Sequence, residues 1–282
     1  MNRTILTLLA ASGLALGARL LDTAAHAADP WADFATYAGP AAAPGYNDAN
    51  AALGKPTLFT DSLGMFGGVV TPLNASFGQG ETISILAGGT LTLQFAEPVT
   101  NDPLNPFGID LLIFGNSFFS GDFFSQNPTQ IIDSLFSEGG SVSVSNDGTT
   151  FHNVLGEADG LFPTNAYADV LQPFTNVPGA VEADFTLPVD PAFNPIGKTY
   201  AQMLAGYNGA GGGLGVDIGA VGLSSITHVR ITNPVGSAST PEIDAAADVR
   251  AVPEPAAGTI VLSLAFILLG KSARTSNVKA VT

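Results

Sequence analysis

The chain has 282 residues, of which 46% are hydrophobic and only 12% are charged, and its formal net charge is −15. This composition is typical of one or two folded domains rather than of a disordered chain. With 24 acidic residues against 9 basic ones, the chain lacks the basic surface that nucleic acid requires. The absence of cysteine excludes disulfides, thiolate metal sites and a cysteine nucleophile.

The first 27 residues have the pattern of a secretory signal peptide. Arg3 precedes an apolar run over 5–16, and Ala25-His26-Ala27 supplies the small residues that signal peptidase recognises. We therefore expect cleavage after Ala27. Residues 28–250 form the exported body, which holds all but two of the 24 acidic residues but only four of the 9 basic ones, a formal net charge of −18. Such a surface repels phosphate and attracts divalent cations that prefer oxygen ligands.

The body alternates polar and apolar residues with a period of two. This pattern predicts half-buried antiparallel strands over 90–95, 141–145 and 227–232. A nearly continuous apolar run over 109–114, interrupted only by Asp110, predicts a strand that is covered on both faces. The body is therefore predicted to be all-β, and a single β-sandwich is the simplest arrangement for it.

Turns and helices are predicted at few positions. Asn146-Asp147-Gly148 follows one predicted strand and predicts a hairpin turn. Helical patterns cover only 129–136 and 198–205. The segment 208–215 contains five glycines and predicts either mobile or closely packed backbone, but it lacks the spacing of a phosphate-binding loop.

Residues 251–282 have three parts in a fixed order. Pro253-Glu254-Pro255 comes first, a stretch of uncharged, mostly apolar residues over 256–269 follows, and Lys271 and Arg274 come last. This tail resembles the PEP-CTERM sorting signal of Gram-negative bacteria that contain an exosortase. The resemblance implies a short hydrophobic sorting helix, transient membrane anchoring, recognition of the Pro-Glu-Pro motif by the exosortase, and transfer to the cell surface. The alternative is a proline-rich linker before a plain membrane anchor.

Several segments of the body also resemble a known family. In the same order along the chain, they are similar to motifs of galactose-binding-like sandwich modules in PEP-CTERM surface proteins. The matching segments are 46–56, which includes Ala52-Leu53-Gly54-Lys55-Pro56, and 89–95, 108–118, 142–151 and 223–231. The resemblance implies a jelly-roll β-sandwich that displays loops to sugars and often carries a structural calcium ion. It supplies no catalytic residue.

Asp110 suggests a cation site. A carboxylate within a covered strand must be paired, protonated or coordinated, and basic partners are scarce in this body. We expect the first and last strands to bring oxygen ligands towards it, as calcium requires. The predicted calcium ligands are Asn47, Asp48, Asp110, Asn116, Asp244 and Asp248. The alternative is that these side chains lie in water at strand ends and turns.

The sequence offers little for catalysis. Only His152 and His228 remain after the signal peptide, and GxSxG, HExxH and zinc-deaminase patterns are absent from the sequence. Aromatic residues outside the predicted strands are candidates for stacking on sugar rings. They are Trp31, Tyr37, Tyr46, Tyr167, Tyr200 and Tyr207.

Together these patterns indicate a non-enzymatic protein that is exported to the cell envelope, the cell surface or an extracellular biofilm matrix. Its expected partners are signal peptidase, an exosortase and extracellular polysaccharide, and its expected cofactor is structural calcium. The alternative is an extracellular carbohydrate-active hydrolase.

Overall fold

The computed structural model describes residues 29–61, 67–121 and 127–250. The predicted signal peptide with its cleavage site at Ala27 and the predicted sorting signal with Pro253-Glu254-Pro255 lie outside these residues. Within the described residues, no helix is both long enough and apolar enough to cross a membrane.

The described body is all-β with one α-helix, as the alternating pattern predicts. Its strands pair antiparallel in four sheets. The elements are β1 (Phe34–Ala38), β2 (Phe59–Thr60), β3 (Gly68–Val69), β4 (Ile83–Ser84), β5 (Thr90–Thr100), β6 (Leu111–Gly115), β7 (Phe118–Ser120), β8 (Ser134–Phe136), β9 (Gly139–Ser145), β10 (His152–Asp159), α1 (Tyr200–Tyr207), β11 (Leu214–Val216), β12 (Ser225–Thr232) and β13 (Glu242–Asp248).

Two sheets face each other across the main core. The larger has the order β1-β5-β12-β9-β10, and the smaller has the order β11-β6-β13-β4. In the larger sheet Leu93, Val229 and Val144 are directly paired across three strands and are fully buried. They belong to the same apolar cluster as Ile113 and Ile243 of the smaller sheet. The predicted strands over 90–95, 141–145 and 227–232 are thus confirmed, because every second residue of each faces this shared core.

Strand β6 is buried on both faces, as its continuous apolar sequence predicts. Leu111 and Ile113 point into the core between the two sheets. Leu112 and Phe114 point the other way, into a second cluster that includes Phe185. Phe185 meets the ring of Phe114 edge to face at 5.6 Å between centroids. The long connection that carries Phe185 therefore covers the outer face of the smaller sheet.

Only one of the two predicted helices forms. The pattern over 198–205 corresponds to α1, which Thr199 begins through a capping box with Gln202. The prediction of a helix over 129–136 was wrong, because residues 134–136 of this segment form β8, which pairs with β7. The pairing stacks Phe136 on Phe118 at 5.0 Å between ring centroids. Cross-strand aromatic contact and burial of Ile132 in a third apolar cluster outweigh local helix propensity here.

Two backbone predictions concern glycine. Asn146-Asp147-Gly148 forms the turn between β9 and β10, where Gly148 has φ +70°. The Asp147 carboxylate accepts the N–H groups of Thr149 and Thr150, and these bonds hold its pKa well below the usual range. Within 208–215 the backbone is closely packed. A Cβ on Gly212 would lie 2.4 Å from the carbonyl oxygen of Pro163.

Candidate functional site

The predicted calcium ligands do not form one shell. Asp110 and Asn116 flank opposite ends of β6, which places them roughly 20 Å apart along an extended strand. Asp244 and Asp248 lie on β13, four residues or about 13 Å apart. In the three described ranges, no group of three or more histidines, aspartates and glutamates is arranged to hold a metal ion. Among the members of this set that are distant in sequence, Asp110 and Asp248 lie near each other, because Asp248 pairs with Leu111 between β13 and β6.

Asp110 is fully buried and accepts three hydrogen bonds. Its Oδ1 accepts from Asn105 Nδ2 at 2.9 Å and from the Asp102 N–H at 3.3 Å, and its Oδ2 accepts from the Ile218 N–H at 3.1 Å. Burial nevertheless raises the pKa of Asp110, and the neighbouring carboxylate of Asp217 adds to the rise. Asp110 is therefore held by protein donors and has no basic side chain among these contacts.

Asp248 lies beside Asp110. Burial and the negative charge of Asp110 raise the pKa of Asp248 to about 7, while Arg250 opposes the rise. Asn105 joins this pair through its amide nitrogen, and its Oδ1 is buried without a hydrogen-bond partner. Two carboxylates thus lie near each other where β13 ends, and the Asn105 amide nitrogen contacts one of them.

Asp244 is in a separate environment. It is 2% exposed, its Oδ2 accepts the Thr57 N–H at 2.9 Å, and its Oδ1 accepts the Thr57 hydroxyl at 3.1 Å. The hydroxyl of Ser76 donates to Oδ2 at 3.4 Å. Burial raises the pKa of Asp244 to about 7, and the carboxylate of Glu81 contributes to the rise. These contacts attach the loop at Thr57 to the smaller sheet.

Asn116 contacts a carboxylate group that the sequence did not single out. Its amide donates to Glu242, which also accepts from the hydroxyl of Ser84. Asp159 and Glu138 lie in the same region, and burial raises the pKa of Asp159 to about 7 with a further contribution from Glu138 and Glu242. Asp159 lies on β10, Glu242 on β13, Glu138 just before β9 and Asn116 just after β6. Their proximity depends on the strand order, so it leaves no local signal in the sequence.

Asn47 and Asp48 lie in an exposed loop. Asp48 precedes the short helical turn Ala49–Ala52, and its Oδ1 accepts the Asn50 N–H at 2.9 Å. This is the contact of a helix cap. Among the described residues, no hydrogen bond connects Asn47 or Asp48 to Asp110.

The candidate aromatic residues divide between core and surface. The prediction of accessible stacking rings was wrong for Tyr200 and Tyr207, which are 0% and 1% exposed and belong to the apolar cluster around α1. The hydroxyls of Tyr37 and Tyr46 donate to the carbonyl oxygens of Pro40 and Phe77. Trp31 is half-buried and lines a cleft, which makes it the strongest of the predicted stacking residues.

We define the Trp31 cleft by the residues that line it. Its volume is about 630 Å³, which falls in the range of small-molecule sites. The lining residues are Pro30, Trp31, Lys55, Glu182, Ala183, Asp184, Phe185, Thr186, Leu187 and Arg250. They come from both ends of the body and from the connection that covers the smaller sheet.

Trp31 is held firmly in the cleft. Its backbone forms a β-bridge with Ala247 of β13, and its ring meets Phe185 edge to face at 6.4 Å between centroids. Phe185 is 3% exposed, so it supports the indole from the interior. A half-buried indole on a rigid base is suited to stack on a flat apolar surface such as a sugar ring.

Charged side chains flank the indole. Lys55 Nζ lies 3.0 Å from both Oε1 and Oε2 of Glu182. The Asp184 carboxylate accepts the N–H of Thr186 at 2.8 Å and its hydroxyl at 2.7 Å. These bonds fix acceptors and donors on the cleft wall. The sequence placed Lys55 in a family-like segment but gave it no role, and it did not single out Glu182 or Asp184, because each lies in an irregular segment without a motif.

Neither histidine occupies the Trp31 cleft. Nδ1 of His228 lies 2.8 Å from the hydroxyl of its neighbour Thr227, and its ring adjoins Gly148 of the hairpin turn. His152 pairs with Val144 in the larger sheet. Both histidines thus lie on strands of the larger sheet.

No protein-family model matches the chain, and no curated protein matches it in sequence. The function proposed below therefore depends on the composition and geometry of the Trp31 cleft.

Proposed function

We propose that residues 28–250 form a carbohydrate-binding body, displayed on the cell surface or in the extracellular matrix, and that the Trp31 cleft is its binding site. The observation that carries the proposal is the half-buried indole of Trp31, which is braced by Phe185 at the edge of a cleft of about 630 Å³. An aromatic ring bordered by polar side chains is the composition expected of a sugar site.

Binding would combine stacking with hydrogen bonding. The indole would cover the apolar face of one sugar ring, while Lys55 and Glu182 would meet hydroxyl groups at the ring edge. The Lys55–Glu182 pair is joined at 3.0 Å, so its groups lose little freedom when a ligand arrives. The Asp184 carboxylate, which also lines the cleft, is held in place by hydrogen bonds from the N–H and the hydroxyl of Thr186.

The decisive experiment compares Trp31→Ala with Phe34→Ala. Phe34 is 57% exposed and does not line the cleft, so its loss is a matched control for the removal of a large aromatic side chain. On a polysaccharide panel, Trp31→Ala is expected to weaken binding about fivefold or more, taking about 1–3 kcal/mol for a ring stacked on an aromatic side chain as the guide. Equal binding by both variants would exclude the cleft as the site.

The body is proposed to be non-enzymatic. The alternative, a carbohydrate-active hydrolase, has one observation in its favour, namely the raised pKa of about 7 at Asp159 beside Glu138 and Glu242. Asp159 is 0% exposed, however, and its two oxygens accept the N–H groups of Ser117 and Glu138. A carboxyl in this position has a structural role. A hydrolase assay on the same polysaccharide panel separates the two functions.

Calcium remains a proposed structural cofactor. The support for it is confined to the neighbouring carboxylates of Asp110 and Asp248, and to Asn105, which contacts Asp110 and whose Oδ1 is buried without a hydrogen-bond partner. Oxygen ligands of this type suit calcium, and a cation would offset the repulsion between the two carboxylates.

Export and sorting complete the proposal. We propose that signal peptidase cleaves after Ala27, that 256–269 anchors the chain transiently, and that an exosortase recognises Pro253-Glu254-Pro255. The two facing antiparallel sheets of the body are consistent with the jelly-roll, galactose-binding-like architecture that the sequence motifs imply.

A further inference from the structure

The charges around the Trp31 cleft cancel, although the body is strongly acidic. Two cations, Lys55 and Arg250, and two anions, Glu182 and Asp184, line the cleft. Residues 28–250 as a whole carry a formal net charge of −18 with only four basic residues. Half of these basic residues therefore lie at one cleft, where they produce local neutrality and no positive excess.

Both cations already have acidic neighbours. Lys55 Nζ contacts the two carboxylate oxygens of Glu182 at 3.0 Å. The charge of Arg250 acts on Asp248, whose pKa it lowers against the effect of burial. An anionic ligand would have to compete with these carboxylates and would also be repelled by the rest of the body.

We infer that the Trp31 cleft selects neutral polysaccharides and discriminates against polyanions such as polyuronates. This inference depends on the proposed function of the cleft. A sugar hydroxyl both donates and accepts hydrogen bonds, so it can meet the Lys55 ammonium and a Glu182 oxygen without disturbing their pairing. The carboxylate group of a uronate only accepts hydrogen bonds, and it would place a third negative charge beside Glu182 and Asp184.

The test measures affinity of the purified body for two sets of polymers. Dextran, laminarin and galactan are the neutral probes, and polygalacturonate and alginate are the anionic probes. At least one neutral polymer is expected to bind tenfold or more tightly than either polyanion, with less than a twofold change between 20 and 500 mM NaCl. Tighter binding of a polyanion that weakens with salt would overturn the charge inference and leave the cleft as a sugar site. Failure of every polymer to bind would overturn the proposed function itself.

Glu182→Gln gives an independent test within the cleft. It removes the carboxylate that neutralises Lys55, so affinity for polygalacturonate is expected to rise about fivefold or more. Glu97→Gln is the matched control, because Glu97 is exposed on β5 outside the cleft and its replacement changes the net charge equally. An equal gain in both variants would show that overall charge, not the Lys55–Glu182 pair, excludes polyanions, and would overturn the inference.

Discussion

Replacing Asp244 by asparagine is expected to stabilise the protein above pH 7. Asp244 is buried, and its contacts suit an amide as well as a carboxyl. The Thr57 N–H and the Ser76 hydroxyl can donate to the amide oxygen, while the Thr57 hydroxyl can accept from the amide nitrogen. The substitution therefore removes a titrating group without leaving these partners unpaired.

The size of the effect follows from the pKa. Burial raises the pKa of Asp244 from 3.8 to about 7, so the folded state binds its proton more tightly than the unfolded chain does. A carboxyl of this kind contributes most stability below pH 4, and that contribution is lost as the pH rises through 4 to 7. Each pH unit corresponds to about 1.4 kcal/mol, so wild type would lose up to about 4 kcal/mol that Asp244→Asn retains.

The assay is urea unfolding of wild type and Asp244→Asn at intervals from pH 4 to pH 8. The difference in free energy of unfolding should be smallest at pH 4 and should grow in favour of the variant towards pH 8. Asp169→Asn is the control of opposite sign, because the exposed Asp169 carboxylate accepts the N–H groups of Ala180 and Val181, which lower its pKa. Asp169→Asn should be less stable than wild type by a nearly constant amount between pH 4 and pH 8, because a lowered pKa confines the pH dependence to values below the unfolded pKa of 3.8.

One result would refute the reasoning about Asp244. If Asp244→Asn is less stable than wild type at pH 8, and millimolar calcium stabilises only wild type, then Asp244 is an ionised metal ligand. The sequence-based assignment of Asp244 to a calcium site would then be supported instead.

Two further predictions concern the calcium pair and the tail. Calcium at a hundredfold excess over its dissociation constant should stabilise wild type by about 2.7 kcal/mol, seen as a higher Tm than in EDTA, and Asp248→Asn should abolish the shift while Asp169→Asn keeps it. An identical Tm with calcium and with EDTA would remove calcium from the proposal. Deletion of 252–282 should move the protein from the cell envelope to the medium, whereas Glu254→Gln should keep the full tail uncleaved. Retention of the deleted form in the envelope would contradict the sorting proposal.

The strands were predictable because their signal is local. Alternation over 90–95 and 227–232 reflects which side chains face the core, and this property needs no knowledge of the partner strand. The pattern over 129–136 failed because strand pairing between Phe118 and Phe136 decides its conformation. That contact joins segments whose relative placement the sequence does not reveal.

The candidate sites were less predictable, since they depend on distances across the fold. Asp110 and Asn116 are only six residues apart, yet the extended strand between them separates their side chains. Trp31 was identified as a stacking candidate from its residue type alone. Lys55 and Glu182 are 127 residues apart, and only the folded chain places them at 3.0 Å.

The N-terminal and C-terminal ends of the described body lie next to each other. Trp31 bridges Ala247, and the Asp248 N–H donates to the carbonyl oxygen of Pro30 at 2.7 Å. If the C-terminal end is the tether, tension enters through β13, which lies between β6 and β4 rather than at a sheet margin. Such a load must shear two ladders at once instead of peeling one strand away. Because Trp31 and Arg250 also line the cleft, a polymer captured there would pull close to the end of β13 from which the tether continues.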